Sequence, residues 1–194
     1  MKLLVFFLEE PSAREMLQLL LPRLLPTKDF HYQFIVFEGK QDLEKNIARK
    51  IKNWHCPVDY FIILRDQDSG DCYTIKQHLV LKTADKPNVL IRIACHELES
   101  WYLGDLSAVE KGLNIKNLSK KQDNRKYRNP DKLANAAEEL TKLTDGLYQK
   151  VSGSRAIGAY LSIEPNTNQS TSFNIFLSGL QKIITILDNS NFQN

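Results

Sequence analysis

Six acidic side chains follow three separate apolar segments of this sequence. In chain order they are Glu9 and Glu10, Asp66 and Asp68, and Glu97 and Glu99. Carboxylates that are held close together repel one another unless a cation joins them. Their oxygen atoms are the ligands that Mg²⁺ and Mn²⁺ prefer, and two such ions held about 4 Å apart are the usual device for displacement at phosphorus. These residue types therefore indicate metal-dependent chemistry on a phosphate ester, provided that the three segments meet in space.

The acidic residues can meet only if the segments before them are neighbouring strands. Apolar runs at residues 2–8, 31–39, 58–64 and 89–94 are typical of buried strands, and amphipathic helical segments separate them. This alternation predicts an α/β fold with an open, mostly parallel sheet of about four strands flanked by helices. In such a sheet functional groups gather at the carboxyl ends of the strands, so all six carboxylates are expected at one edge.

The predicted organisation places the chemistry in the first half of the chain. Residues 1–105 are expected to form the α/β core with the acidic edge, and residues 106–194 a mainly helical C-terminal extension packed on that core. A polar, basic segment at about 118–130 has no periodicity and is predicted to be a loop. Helical segments are expected around residues 131–143, 153–161 and 172–188.

Local geometry ranks the candidates within the acidic edge. Alternation along an extended chain places Asp66 and Asp68 on the same side, and Glu97 is favoured over Glu99 because it lies nearer its strand end. A purely structural role competes with metal binding, because acidic residues before a helix favour its macrodipole and aspartates cap turns and helices. Both interpretations stay open at the level of the sequence.

The first helix follows the acidic pair directly. Ser12 is expected to cap it, and apolar residues then recur at helical spacing. Pro22 is expected to end or kink this helix, and Pro26 to close it.

An acid at the end of the first strand and D-x-D at the end of the third resemble the Toprim fold. That fold occurs in topoisomerases, bacterial primases and overcoming-lysogenization-defect nucleases. In the usual Toprim motif the first acid is followed by glycine, so Glu9 matches the acid and Glu10 stands where glycine is expected. This departure leaves open which of the two glutamates ligates metal.

The chain is similar, more closely, to a Toprim-like group, the domain-of-unknown-function family 4276. The resemblance rests on "LEEPSAREML", "FEGKQDLEKNI", "DQDSGDC", "RIACHELESWYLGD" and "YQKVSGSRAIGAYL" followed by "NQSTSF". It implies a nuclease-like domain that uses Mg²⁺ or Mn²⁺ and is often encoded beside an ABC-type ATPase in bacterial phage-defence systems. The implied partners are therefore DNA or RNA and an ABC-type ATPase.

The leading hypothesis is a metal-dependent phosphodiesterase that acts on DNA or RNA as the effector of such a complex. The predicted metal ligands are Glu9, Glu10, Asp66, Asp68 and Glu97. The predicted catalytic residues are Glu9, Asp66, Asp68 and Lys150. The metal ions would activate water and stabilise the leaving oxygen, and Lys150 would stabilise charge that develops on the phosphate.

Basic residues supply the predicted contacts to nucleic acid. They are Lys40, Arg125, Lys126, Arg128 and Arg155. Lys40 follows the second strand, Arg155 lies in a glycine-containing helix start, and the other three belong to the basic loop, which is able to follow a phosphate backbone. The alternatives are a hairpin-like turn at Lys40 and a solvated loop. Lys45, Arg49 and Lys52 recur at helical spacing and are interpreted as a solvated face.

Composition limits the remaining classes. A net charge of +3 and 25% charged residues permit a nucleic-acid partner without requiring one. Three cysteines without C-x-x-C spacing argue against a disulfide framework or a zinc ribbon, and they predict a reducing, cytoplasmic location. No apolar run is long enough for a signal segment or a membrane span, and nucleotide-binding glycine motifs are absent.

Two other functions compete with hydrolysis. One is a catalytically inactive interaction module, in which the acidic edge is vestigial or binds a structural ion and the C-terminal helices dock a partner. The other is a receiver-like phospho-acceptor, which also combines an acidic pair after its first strand with an aspartate after its third, but which needs a lysine after a fifth strand. The sequence leaves the oligomeric state open, including a homo-oligomer.

Overall fold

The computed structural model describes residues 1–25 and 28–190 of the 194-residue chain. The strands are β1 Lys2–Leu8, β2 Phe30–Val36, β3 Tyr60–Asp66 and β4 Val89–Ala94. The α-helices are α1 Pro11–Leu24, α2 Lys40–Lys52, α3 Cys72–Lys82, α4 Glu99–Leu103, α5 Leu106–Gly112, α6 Ala136–Leu143, α7 Lys150–Gly158 and α8 Thr171–Ser190. Strands and helices alternate in the first half of the described chain, and helices alone follow.

All four strands pair in parallel, in the order β2-β1-β3-β4. The predicted α/β class and the open parallel sheet are therefore confirmed. From β1 the chain moves to one side to form β2 and then crosses to the other side to form β3. Open α/β sheets bind ligands outside the carboxyl ends of their strands at such a reversal, which here lies between β1 and β3.

The central strand β1 is apolar on both faces because helices cover both sides of the sheet. Phe6 belongs to the core shared with α1 and the C-terminal helices, whereas Val5 and Phe7 belong to the core beneath α2 and α3. The first core continues into the second half of the chain, where Trp101 is fully buried and donates its indole N–H to Ser172 Oγ at 2.8 Å. The C-terminal helices are thus built into the same hydrophobic core as the sheet.

Helix α1 begins earlier than the sequence suggested. Glu10 is its N-cap residue, and Pro11 occupies the first turn, where its missing N–H costs nothing. Predicted capping by Ser12 is wrong, because Ser12 lies inside the helix and donates its hydroxyl to the Glu10 carboxylate. Pro22 also lies within the helix, near its end, and Pro26 falls outside the described residues.

The basic segment at 118–130 is held against the core by specific hydrogen bonds. Gln122 accepts a bond from the Leu106 backbone N–H at 2.7 Å and donates one to the Tyr127 carbonyl at 3.1 Å. Tyr127 is buried and donates its hydroxyl to Glu139 at 2.7 Å. The segment contains one short 3₁₀ turn, Ser119–Lys121, and a second, Pro130–Lys132, begins at its last residue.

Helix α7 lies beside α1 at backbone contact distance. A Cβ atom added to Gly158 would stand 2.7 Å from the Met16 carbonyl oxygen and 2.8 Å from its Cα. The two helices run in the same direction, since Lys150 pairs with Glu10 at the start of each helix. This close approach brings Lys150, which is remote in sequence, to the carboxyl end of β1.

Candidate functional site

Four carboxylates gather at the carboxyl ends of the strands, and we refer to Glu9, Glu10, Asp66 and Glu99 as the acidic cluster. Glu9 and Glu10 follow β1, and Asp66 is the last residue of the adjacent strand β3. Glu9 Oε2 accepts a hydrogen bond from the Asp66 backbone N–H at 3.1 Å, which joins the two strand ends. The parallel pairing of β1 with β3 therefore places these side chains at the switch point of the sheet.

Asp66 is the most constrained member of the acidic cluster. Its side chain is only 9% exposed, so burial disfavours its charged form. Burial first, and then the neighbouring carboxylates Glu10, Glu9 and Glu99, raise the pKa of Asp66 well above its ordinary value. Burial also raises the pKa of Glu9, although the hydrogen bond from Asp66 opposes this effect. The cluster is thus a concentration of negative charge that lacks full compensation.

Lys150 supplies the nearest positive charge to the acidic cluster. Its Nζ lies 2.5 Å from Glu10 Oε2, and α7 holds it there. Burial disfavours the charged ammonium, but the Glu10 carboxylate outweighs it and raises the pKa of Lys150. Lys150 is therefore a cation at neutral pH, held beside Glu10.

Glu99, rather than the favoured Glu97, joins the acidic cluster. The side chain of Glu97 accepts a hydrogen bond from the Ala137 backbone N–H at 2.7 Å and so caps the start of α6. The chain turns sharply after β4 because His96 adopts a left-handed φ of 56°, and α4 then begins at Glu99. Distance along the chain from the strand end therefore does not decide which glutamate approaches Asp66.

A buried tyrosine anchors Glu99. Glu99 is 1% exposed, and Tyr148 donates its hydroxyl to Glu99 Oε1 at 2.7 Å. Burial raises the pKa of Glu99, and the hydrogen bond from Tyr148 opposes that rise. The other oxygen, Oε2, is buried and has no hydrogen-bond partner within the part of the chain that the structure describes. This oxygen is therefore free to accept a further hydrogen bond or a cation.

We expect Tyr148→Phe to lower the free energy of unfolding by about 1–2 kcal/mol, because a buried carboxylate loses a charge-assisted hydrogen bond while the ring remains. Urea denaturation at pH 7 measures the change. Tyr160→Phe is the matched control, since the Tyr160 side chain is half exposed. Equal stability losses in the two variants would contradict the anchoring role of Tyr148.

A second group of charges lies on the outer side of the acidic cluster. Asp68 follows β3 in a left-handed turn with a φ of 53°, and its Oδ2 lies 2.8 Å from Lys40 Nζ. Lys40 follows β2, the edge strand next to β1. Because β3 ends at Asp66, the alternation expected for an extended D-x-D segment does not continue to Asp68.

Arg65 is a site residue that the sequence interpretation missed. Although it is only 6% exposed, its Nη2 lies 3.1 Å from Glu44 Oε1 and its Nε lies 3.9 Å from Glu9 Oε2. Its Nε and Nη1 have no hydrogen-bond partner in the described residues. The sequence did contain a sign of this role, because Arg65 is an arginine inside an apolar strand and directly precedes an acid. Arg65 holds positive charge beside Glu9.

Three of the five predicted nucleic-acid contacts are paired with carboxylates of the protein. Arg155 pairs with the buried Glu15, whose Oε2 lies 2.5 Å from Arg155 Nη2, and this pair joins α7 to α1. Lys126 Nζ lies 2.5 Å from Glu139 Oε2 and fixes the basic segment to α6. Lys40 pairs with Asp68, as described above. The remaining two, Arg125 and Arg128, are exposed.

The donor atoms of the acidic cluster fit a hard divalent cation, since all are carboxylate oxygens and one of them, on Glu99, is buried without a partner. Among residues 1–25 and 28–190, however, no three Asp, Glu, His or Cys side chains are grouped so that they could hold a metal ion as they stand. Glu10 and Asp68 are instead paired with Lys150 and Lys40. Binding of a metal ion therefore requires at least that Glu10 give up its ion pair with Lys150.

Comparison with protein-family models identifies one family. The model described as Domain of unknown function (DUF4276) matches residues 8–181. The chain belongs to this family. No curated protein and no solved structure matches significantly. The DUF4276 match includes the whole acidic cluster and Lys150, so the site described above lies within the family's domain. None of the helices in the described part of the chain is long and apolar enough to span a membrane.

Proposed function

We propose that this DUF4276 protein is a divalent-metal-dependent nuclease that hydrolyses phosphodiester bonds of DNA or RNA. The observation that carries the proposal is Asp66, which is buried at the β1–β3 switch point among Glu9, Glu10 and Glu99. Clustered carboxylates in a site of low dielectric constant are costly unless a cation binds them. The resemblance to Toprim nucleases, which place acids at the same strand ends, agrees with this proposal but rests on the same residues.

Glu9, Glu10, Asp66 and Glu99 would hold Mg²⁺ or Mn²⁺. When bound, such an ion lowers the pKa of a coordinated water and stabilises the leaving oxygen of a phosphodiester. Glu9 is already oriented by the Asp66 backbone N–H, and Arg65 lies next to it.

In this proposal two lysines bind the phosphate. Lys150 and Lys40 now neutralise Glu10 and Asp68, at 2.5 Å and 2.8 Å. If either carboxylate side chain rotates to ligate a metal ion, the ammonium group that it now pairs with becomes available to the substrate. An ammonium that faces the phosphate stabilises the negative charge that builds up during displacement. The chain thus offers both ligands for the cation and counter-charges for the phosphate.

We propose further that the protein acts as the effector of a phage-defence complex with an ABC-type ATPase. This part of the proposal rests on the family resemblance alone. Co-purification of the chain with an ATPase encoded beside it, followed by nuclease assays of the pair, tests it directly.

Purified protein should cleave labelled single-stranded DNA, duplex DNA or RNA in 5 mM Mn²⁺ or Mg²⁺, and cleavage should stop when EDTA is added. Glu9→Gln should lower the rate roughly 10²–10³-fold, because a charged ligand becomes neutral. Glu164→Gln, a change of an exposed glutamate, is the control and should cleave at the wild-type rate. If none of these substrates is cleaved, with or without the ATPase, the proposed nuclease activity is contradicted.

An inactive interaction module is the second candidate, and one observation favours it. Both Glu10 and Asp68 are already paired with lysines, and no ready-made metal-ligand group is found in the described residues. Calorimetric titration with Mn²⁺ separates the two functions. Binding that Asp66→Ala abolishes supports the nuclease, whereas weak binding that is unchanged by this variant supports the module. A receiver-like domain is less favoured, since the described residues form four strands and lack a fifth.

A further inference from the structure

A cavity opens between the C-terminal ends of α2 and α3, at the opposite end of the sheet from the acidic cluster. Its volume is about 440 Å³. The basic side chains at this cavity are Arg49, Lys52, Lys82 and Lys86, which we call the basic groove. The acidic residue among the lining side chains is Asp85. The groove is thus a concave surface with a clear excess of positive charge.

Helix dipoles do not account for all of this charge. Arg49 and Lys52 lie in the last turn of α2, and Lys82 in the last turn of α3, where cations are stabilised by the helix carbonyls. Each helix C-terminus carries only about half a negative charge. Two such ends and Asp85 therefore leave a surplus of about two positive charges. Lys86 lies beyond both helices and has no such explanation.

Within the described residues, no carboxylate pairs with the cations of the basic groove. Lys52, Lys82 and Lys86 form no salt bridge there, and Arg49 donates to the neutral Asn46 Oδ1 at 2.8 Å. Lys82 and Lys86 are partly buried, which reduces their contact with water. Partly desolvated cations without partners favour an anionic ligand.

Helix α2 connects the basic groove to the acidic cluster. It begins at Lys40, which contacts Asp68, and ends at Lys52, which lines the groove. Lys45 and Arg49 lie between them on the exposed surface of the helix. The 13 residues of α2 extend about 20 Å, and over that length of duplex axis each strand carries about six phosphates.

We propose that the basic groove binds the phosphate backbone of the nucleic acid whose scissile bond lies at the acidic cluster. This inference rests on the proposed nuclease function, because it identifies how that substrate is held. The recognition is electrostatic and independent of base sequence, since the groove offers lysine and arginine side chains to phosphates. The face of α2 interpreted from the sequence as merely solvated is, in this proposal, the track between the two sites.

Fluorescence anisotropy of a labelled 20-nucleotide strand and of the matching duplex, in EDTA at 50–300 mM salt, tests the proposal. The groove variant combines Lys52→Gln, Lys82→Gln and Lys86→Gln. We expect its affinity at low salt to fall roughly 10–100-fold and the slope of log K against log salt to shrink by about 2–3. A second variant with three Lys→Arg changes at the same positions should bind like the wild type.

The matched control removes the same charge elsewhere on the surface. It combines Lys111→Gln, Lys116→Gln and Lys182→Gln, all of which change exposed side chains. Equal loss of affinity in the control and groove variants would overturn the proposal. Binding is measured without metal, so it does not depend on cleavage. If the wild type binds nucleic acid through the groove but cleaves none, the nuclease function is refuted and the groove assignment stands.

Discussion

Asp66→Asn is expected to abolish cleavage and, in the same protein, to raise thermal stability in the absence of metal. The amide matches the carboxylate in shape but cannot supply the negative charge that a divalent ion requires, so we expect a rate loss of at least about 10³-fold. Replacing a buried carboxyl group whose ionisation is disfavoured by Glu9, Glu10 and Glu99 should add about 1–2 kcal/mol to the free energy of unfolding at pH 8. For a chain of this size, that raises the melting temperature by about 2–8 °C.

The stability gain should depend on pH in a defined direction. Burial and neighbouring carboxylates raise the pKa of Asp66 in the folded state, so the folded protein retains this proton at pH values where the unfolded chain has lost it. The wild type therefore loses stability as the pH rises above the ordinary aspartate pKa of 3.8, and below that value the penalty is absent. Differential scanning fluorimetry from pH 3.5 to 8 should show the two proteins diverge as the pH increases.

Metal binding should reverse the order of stability. Mn²⁺ at a hundred times its dissociation constant stabilises the folded state by about 2.7 kcal/mol, and only the wild type should gain this increment. Asp123→Asn, which neutralises an exposed aspartate, is the control and should follow the wild type in every measurement. A melting temperature of Asp66→Asn that stays below that of the wild type at pH 8 without metal would contradict the electrostatic description of the cluster.

Gly158→Val is expected to produce the largest structural effect. The first added carbon would lie 2.7 Å from the Met16 carbonyl oxygen, and a backbone atom cannot move aside as a flexible side chain can. Helices α1 and α7 must separate, which we expect to cost roughly 3 kcal/mol and to lower the melting temperature by about 6–12 °C. Because α7 carries Lys150, the separation should also weaken the Glu10–Lys150 pair and reduce cleavage further than the loss of folded protein explains.

Ser152→Val is the matched control for this variant. Ser152 lies on the exposed side of the same helix, so it reports the cost of a β-branched residue in α7 without the contact to α1. Guanidinium denaturation of both variants measures the difference, and nuclease assays at 15 °C, where each remains folded, measure the functional part. Similar stabilities of the two variants would show that the close approach of α1 and α7 tolerates a side chain.

Only part of the acidic cluster was evident from the sequence. Glu9, Glu10 and Asp66 were identified because each follows an apolar strand, and parallel strands present their carboxyl ends at one edge. Glu99 was ranked below Glu97 because Glu97 lies nearer its strand end. The left-handed turn at His96, which decides between them, depends on tertiary contacts. Such a turn leaves no reliable trace in a stretch of polar residues.

The ion-pair partners of these carboxylates were even harder to predict from the sequence. That Lys150 reaches Glu10 depends on the backbone contact between α1 and α7, and Arg65 reaches Glu44 and Glu9 from within an apolar strand. Each pair joins residues that are far apart along the chain, and sequence periodicity describes only local neighbours. The ion pairs of Arg155 and Lys126 with buried glutamates could not be predicted from the sequence for the same reason.

The sequence by itself determined the α/β class, the four strands and the edge at which the first acids lie. It could do so because buried parallel strands need continuous apolar runs, and because parallel strands are joined by right-handed crossovers that contain amphipathic helices. Tertiary structure alone decided which acids share one site, which cations neutralise them and where a basic groove opens between α2 and α3. These features depend on the packing of distant segments, which is fixed only when the hydrophobic core closes.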